Sequence, residues 1–295
     1  MVTDVMNTKG IFLMLLSMAT FAFADTLIKV SGSFLSPAQI MFFLIGGGLI
    51  LFAVIAAIQG ENLMEHKAFA PVLLLRYCAE MIGLVGMVMA LTHVPLSTVG
   101  AVTQAAPILV AAGAILFLKE AVSWRSWSSI AIGFLGVMLV IQPGTESLGY
   151  AVVWAVLALV AFSVRDLVTR LTPPDIGSAC LATYTMVAAL PFTIAWVLFN
   201  GESFFPANAN YVIVTFMVAL GSLGYLLLIT SLRIGELSAV MPFRYSRIVF
   251  LLMLGALVFG ERPSASMLIG AALIIVSGVY IIWRERILKQ RLDQK

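Results

Sequence analysis

Seven ionisable residues fall inside long apolar stretches of this chain: Asp25, Arg76, Glu80, Arg165, Asp166, Arg244 and Arg247. A charge within a hydrocarbon layer is expensive unless it faces water or a partner, so each marks a candidate functional position. Arg76 and Glu80 stand four residues apart and so share a helix face, where they can neutralise each other. The same pair could instead open to a substrate carboxylate, or let Glu80 carry a proton. Arg244 and Arg247 have no acidic residue within one turn. They must face a wet cavity or distant carboxylates such as Asp25 or Glu80. Their segment, Met241-Pro242-Phe243-Arg244-Tyr245-Ser246-Arg247, contains a proline that frees a backbone carbonyl and can break the helix, as in segments that line binding sites. Arginines flanked by aromatic rings suit a ligand with a carboxylate or phosphate and a flat ring. The expected substrate-binding residues are therefore Arg244, Arg247, Tyr245, Gln104, Arg76 and Glu80, with Asp25, Asp166 and Pro242 in gating or coupling roles.

The elements that must position these groups are membrane helices. Of 295 residues, 62% are hydrophobic and 11% charged, and the mean hydropathy is +1.08, more apolar surface than a soluble fold can bury. A spanning helix needs about 20 apolar residues. Ten such segments can be read, at 10–28, 36–58, 68–91, 96–118, 126–142, 149–171, 176–198, 210–232, 237–259 and 264–284. The fold class is thus all-α integral membrane, with short loops and no room for a soluble domain. With both termini inside, eleven Lys and Arg residues lie on the inner side and two, Lys29 and Arg262, on the outer. That asymmetry is the positive-inside signature. The formal net charge of +3 carries no nucleic-acid signal.

The chain is also two copies of one unit. An offset of 141 residues lays Phe21, Asp25 and Lys29 on Phe162, Asp166 and Arg170, Gly83 on Gly224, Leu96 and Ser97 on Leu237 and Ser238, and Glu120 on Glu261. Each copy, 1–145 and 146–295, holds five spans. An odd number forces the copies to enter the membrane from opposite sides, which is the inverted-repeat plan of secondary transporters. Asp25 and Asp166 then become matched gates near opposite membrane faces. Gln104, on the stretch that pairs with the arginine segment, gives an amide wall opposite a cationic one. Pro107 is displaced from the mate of Pro242, so the two kinks need not be symmetric.

Other chemistry finds little support. His66 and His93 are expected in loops on opposite sides, and Cys78 and Cys180 show no metal-ligand or redox spacing. Gly46-Gly47-Gly48, Gly83 and Gly86 read as close helix contacts, and no Walker-type or dinucleotide loop is present. No cofactor or metal is implied. An intramembrane lipid-modifying enzyme would lack an acid–base pair, and a channel would lack a ring of equivalent ligands. Lys9 and the run ending Ala22-Phe23-Ala24 imitate a signal-peptide cleavage site, but cleavage there would remove the repeat partner of the sixth span. The expected partners are the lipid bilayer and a small-molecule substrate, with the chain a monomer or homodimer.

Particular stretches add a resemblance. Ala90-Leu91-Thr92-His93-Val94-Pro95-Leu96-Ser97, Leu116-Phe117-Leu118-Lys119-Glu120 and Gly133-Phe134-Leu135-Gly136-Val137 occur in the first half. Ser231-Leu232-Arg233-Ile234-Gly235-Glu236-Leu237-Ser238 and Val258-Phe259-Gly260-Glu261-Arg262 echo them in the second. These resemble the ten-helix, EamA-like branch of the drug/metabolite transporter superfamily over nearly the whole chain. The resemblance implies two inverted five-helix repeats, a central cavity, alternating access and a small organic substrate. Members similar to this one, with Pro-Phe-Arg-Tyr-Ser-Arg in the ninth helix, look like bacterial inner-membrane carriers of riboflavin or S-adenosylmethionine type. Amino acids and broad-specificity export of metabolites or drugs are further substrate readings.

Overall fold

The computed structural model describes residues 2–61, 70–106, 108–110, 112–113, 124–141, 151–169, 176–234 and 241–293. Within them the ordered elements are helical: α1 (Val2–Ser31), α2 (Pro37–Ile58), α3 (Pro71–His93), α4 (Leu96–Thr103), α5 (Trp124–Ile141), α6 (Val152–Thr169), α7 (Ser178–Phe199), α8 (Tyr211–Ile234), a 3₁₀ segment (Met241–Tyr245), α9 (Ser246–Phe259) and α10 (Ala265–Asp293). The ten α-helices fall on the ten expected spans. Six stretches of described residues are long and apolar enough to cross a bilayer, and Leu96–Val110, Ala131–Val140 and Ala265–Ser277 are shorter apolar helices. Large apolar side chains stay exposed along them, including Ile50, Val54, Ile58, Val212, Phe216 and Leu257. In a chain of this hydropathy that surface faces lipid. Glu120, Leu237, Ser238, Pro107, His66 and Arg170 lie outside the described residues. His93 closes α3 rather than sitting in a loop.

Packing divides the chain into two units, each drawing on both sequence copies. One comprises Met1–Ala22, Val94–Val152 and Gly224–Lys295; the other comprises Phe23–His93 and Val153–Leu223. In the second unit α2 packs along α7, and in the first α5 packs along α10 and α4 along α9. Helices α2 and α7, and α5 and α10, are equivalent at the 141-residue offset, while α4 and α9 are opposite parts of the mated spans 96–118 and 237–259.

Helix ends show the direction of these pairs. At Gly60 and Gly201, repeat mates with φ of 68° and 66°, left-handed glycine ends α2 and α7. The following amides, Glu61 N and Glu202 N, reach back to Ala56 O (2.9 Å) and Val197 O (3.1 Å). This is the Schellman closure, in which glycine takes the left-handed position without strain. It delivers each glutamate side chain to the start of the other helix. Glu61 Oε2 accepts from Cys180 N at 2.6 Å, in the first turn of α7, and Glu202 Oε2 accepts a short hydrogen bond from the hydroxyl of Ser36, the N-cap of α2. The C-terminus of each helix therefore lies beside the N-terminus of the other. The mates run antiparallel, as inverted copies must.

The two joints differ by one side chain. Ser36 caps α2 itself, accepting from Gln39 N at 3.2 Å and donating its own backbone N–H to Gln39 Oε1 at 3.0 Å. Its repeat mate is Gly177, the N-cap of α7, which has no side chain to offer. The Glu61 carboxylate occupies the place a Cβ would take there. A third glycine–glutamate pair repeats the device in the other unit. Gly260 has φ 65°, and Glu261 accepts from Leu96 N (2.6 Å), Ser97 N (3.0 Å) and Ser97 Oγ (2.7 Å) at the start of α4. So α9 and α4 also run antiparallel, and Glu261 organises the joint between them.

Small residues set the remaining contacts. A side chain at Gly83 would meet the Phe162 ring at 2.5 Å, and one at Gly224 the Phe21 ring at 3.1 Å, so these equivalents repeat in space as in sequence. Gly86 packs on the backbone of Trp154 and Ala158, and Gly136 and Gly270 face one another, close approaches typical of membrane helices. Gly46 meets nothing nearby. Because its carboxylate serves three buried donors, Glu261→Ala should lower stability by roughly 2–3 kcal/mol. Thermal unfolding in detergent checks this.

Candidate functional site

Within the first unit, the site residues gather where two spans break. Helix α4 stops at Thr103, turns at Gln104 and Ala105, and resumes at Ala106. Its repeat partner carries the 3₁₀ segment, which passes into α-helix at Ser246. The break falls at the same repeat position in both copies, where Gln104 and Tyr245 adopt nearly one conformation, φ −71°, ψ −9° and φ −67°, ψ −15°. The displaced prolines left the two kinks free to differ, and Pro242 lies inside the 3₁₀ turn.

A 3₁₀ turn leaves carbonyls without their α-helical donors. Gln104 supplies one, its Nε2 donating to Arg244 O at 3.1 Å. The amide expected to face substrate thus ties one broken helix to the other. Arg244 and Arg247 are half-buried, while Phe243 is exposed. The Arg247 guanidinium lies over the Phe21 ring, 5.1 Å from its centroid, a cation–π placement that satisfies an arginine in an apolar layer. Tyr245 is 3% exposed, and its hydroxyl is buried without a hydrogen-bond partner. Such a group costs about 1–3 kcal/mol.

In the second unit the acids and arginines form a different constellation. Helical spacing suggested Arg76 as the partner of Glu80, but the ion pair observed is across helices: Arg165 Nη1 to Glu80 Oε1 at 2.8 Å. Arg165 also grips its neighbour Asp166, with Nε and Nη2 both donating to Oδ1 at 2.9 and 2.8 Å. One guanidinium therefore serves two carboxylates. It lies over the Phe162 ring as well, 4.6 Å from the centroid. Glu80 is 6% exposed, and its Oε2 has no hydrogen-bond partner.

Arg76, 3% exposed, donates from Nε to Thr169 Oγ1 and from Nη1 to Thr185 Oγ1, both at 2.9 Å. Those hydroxyls donate in turn to Arg165 O and Leu181 O one turn back. Each offers its lone pairs to the arginine, so α3, α6 and α7 are fastened through one cation. Asp25 is also buried, at 4% exposure, in the part of α1 that belongs to this unit. Tyr184 packs against a cluster of Leu73, Tyr77, Ile176, Cys180 and Leu181.

The structure thus brings Gln104 to Arg244 and Glu80 to Asp166 through Arg165. Sequence reasoning marked Arg165 as a candidate position without assigning it a role, and gave Thr169, Thr185, Phe21 and Phe162 no site role. The repeat-matched phenylalanines carried a signal in their pairing with Gly83 and Gly224. The threonines carried none, since helical threonine commonly bonds its own backbone.

Antiparallel repeat mates, lipid-exposed apolar helices and buried charges at broken spans define a multi-pass membrane protein built as an inverted-repeat transporter. More narrowly, the chain belongs to the EamA-like transporter family, whose model matches residues 8–142 and 149–284. Among curated relatives, an S-adenosylmethionine uptake transporter of Rickettsia prowazekii (strain Madrid E) is 24% identical over 94% of both chains. A riboflavin transporter of Rhizobium johnstonii is 25% identical over 72% of this chain and 70% of its own. A pseudopaline exporter of Pseudomonas aeruginosa is 27% identical over 94% of this chain and 96% of its own. A crystal structure of a protein 16% identical in sequence matches with a TM-score of 0.62, covering 94% of this chain and 98% of that one, and shows the fold. The protein is a transporter.

Thr185→Val would leave a buried guanidinium donor of Arg76 without its hydroxyl. It should cost about 1.5–3 kcal/mol. Thr230→Val, an exposed threonine that bonds only Leu226 O among its observed contacts, should stay within about 0.5 kcal/mol in the same unfolding assay.

Proposed function

We propose that this protein is a secondary carrier of the bacterial inner membrane that moves a small zwitterionic, anionic or aromatic metabolite by alternating access. The two five-helix repeats, 1–145 and 146–295, supply the inverted symmetry for it, and both termini face the cytoplasm. The observation that carries the reading is the Tyr245 hydroxyl: buried, without a hydrogen-bond partner, and set between two arginines at a break in its span. A fold does not retain an orphan buried hydroxyl for stability. A ligand that bonds it supplies the reason.

In this reading Arg244 and Arg247 hold the anionic end of the substrate and Tyr245 bonds a polar group on it. Gln104 keeps the break open by securing the Arg244 carbonyl. Arg76 and Glu80 balance charge, and Asp25 and Asp166 gate opposite faces. The relatives named for S-adenosylmethionine and riboflavin support a zwitterionic or flat aromatic cargo. The relative named as an exporter leaves both directions open, and a carrier runs down whichever gradient is imposed.

Solute counterflow in proteoliposomes, with riboflavin, S-adenosylmethionine, aromatic amino acids and dicarboxylates, tests the proposal. One panel member should exchange, and Arg247→Gln should abolish that exchange with the fold intact. Equal flux in both proteins would make the arginines structural. Tyr245→Phe separates function from folding more sharply. Removing an orphan hydroxyl should leave stability unchanged or raise it by about 1 kcal/mol, while substrate affinity falls several-fold. Lowered stability would mean that the hydroxyl serves the fold.

A further inference from the structure

We propose that Glu80 and the face of Phe162 form a subsite for a cationic group of the cargo, a sulfonium, and that Arg165 fills this subsite when no cargo is bound. The inference rests on the carrier reading and extends it by naming a charge and the residues that meet it.

Arg165 is held unequally by its two acids. Toward Asp166 it presents two donors, Nε and Nη2, at 2.9 and 2.8 Å from one oxygen. Toward Glu80 it presents Nη1 alone, at 2.8 Å. Glu80 Oε2, in a residue 6% exposed, has no hydrogen-bond partner. A buried carboxylate with one oxygen unserved is under-solvated in this state, and a second cation or donor at Oε2 would complete it. The guanidinium carbon also covers the Phe162 ring at 4.6 Å. A carboxylate beside an aromatic face is the recognition set for organic cations, because the ring's negative face and the acid act on the same charge.

Exchange leaves no isolated charge. When a cargo cation takes Glu80 and the ring, Arg165 gives up one hydrogen bond and one ring contact and keeps both donors on Asp166. Asp166 and Phe162 are half-buried, so the displaced guanidinium can turn toward the more open side. Phe162 is held in place meanwhile, since its ring lies against Gly83, where any side chain would collide with it. The equivalent ring in the other repeat, Phe21, also carries a guanidinium, but from Arg247 on α9. The repeat mate of Glu80 is Gly221, so no glutamate stands at the equivalent position. The cation subsite, built from both copies, has no counterpart under the repeat.

The test uses purified full-length protein and two ligands that differ in a single charged methyl group, S-adenosylmethionine with its sulfonium and S-adenosylhomocysteine with a neutral thioether. Binding of each is titrated alongside counterflow of the full metabolite panel. Wild type should prefer the sulfonium by about tenfold or more. Glu80→Gln should bring the two affinities together, and Phe162→Leu should narrow the gap while size-exclusion profiles stay native. Equal wild-type affinities, a preference that Glu80→Gln leaves intact, or no binding of either ligand would overturn the subsite. Exchange of another panel member in those cases would leave the carrier reading standing. Loss of all exchange would remove the carrier reading itself.

Discussion

Everything in this structure depends on how helix ends are satisfied where water is scarce. Each helix start presents amides with no partner in its own helix, and in an apolar layer these must be met by protein. Glu61 and Glu261 accept them directly, and Glu202 accepts the hydroxyl of Ser36, which itself caps the Gln39 amide; each glutamate follows a left-handed glycine at the end of one helix and reaches the start of the mated span. The carboxylate also sits where the helix dipole favours negative charge. One motif therefore ends a helix, begins another and fixes their antiparallel direction.

The same scarcity of water shapes the charged constellations. Inside spans, the partners seen for the arginines include threonine hydroxyls, aromatic faces and shared carboxylates. Arg76 takes Thr169 and Thr185, Arg165 takes Glu80 and Asp166 and the Phe162 face, and Arg247 takes the face of Phe21. A guanidinium divided among several weak partners can surrender one of them without being stranded. That is a useful property in a protein whose task is to exchange partners with a passing substrate.

Pseudo-symmetry is kept in the backbone and broken in the side chains. Gln104 and Tyr245 share a conformation and a break in their spans, yet one bears an amide bonded to the opposite segment and the other a buried hydroxyl without a partner. Ser36 and Gly177 start equivalent helices, one capped by its own hydroxyl and the other by Glu61. Inverted copies allow the two faces of the membrane to be treated alike, and unequal side chains let the site bind a molecule that has no such symmetry.

Sequence by itself determined the ten spans, the repeat and its inversion, because hydropathy and an odd segment count follow from local composition and the thickness of a bilayer. It also singled out Glu80 and Tyr245, two residues whose buried polar atoms lack a hydrogen-bond partner, since an ionisable or hydroxyl group is conspicuous in an apolar run. The pairing of those groups was decided only by tertiary structure. Glu80 has Arg76 one turn away along its own helix, but α6 brings Arg165 within 2.8 Å of it. Which side chains meet across helices depends on helix rotation and on the depth to which small residues such as Gly83 let neighbours approach. Neither quantity is written in the spacing of residues along one chain.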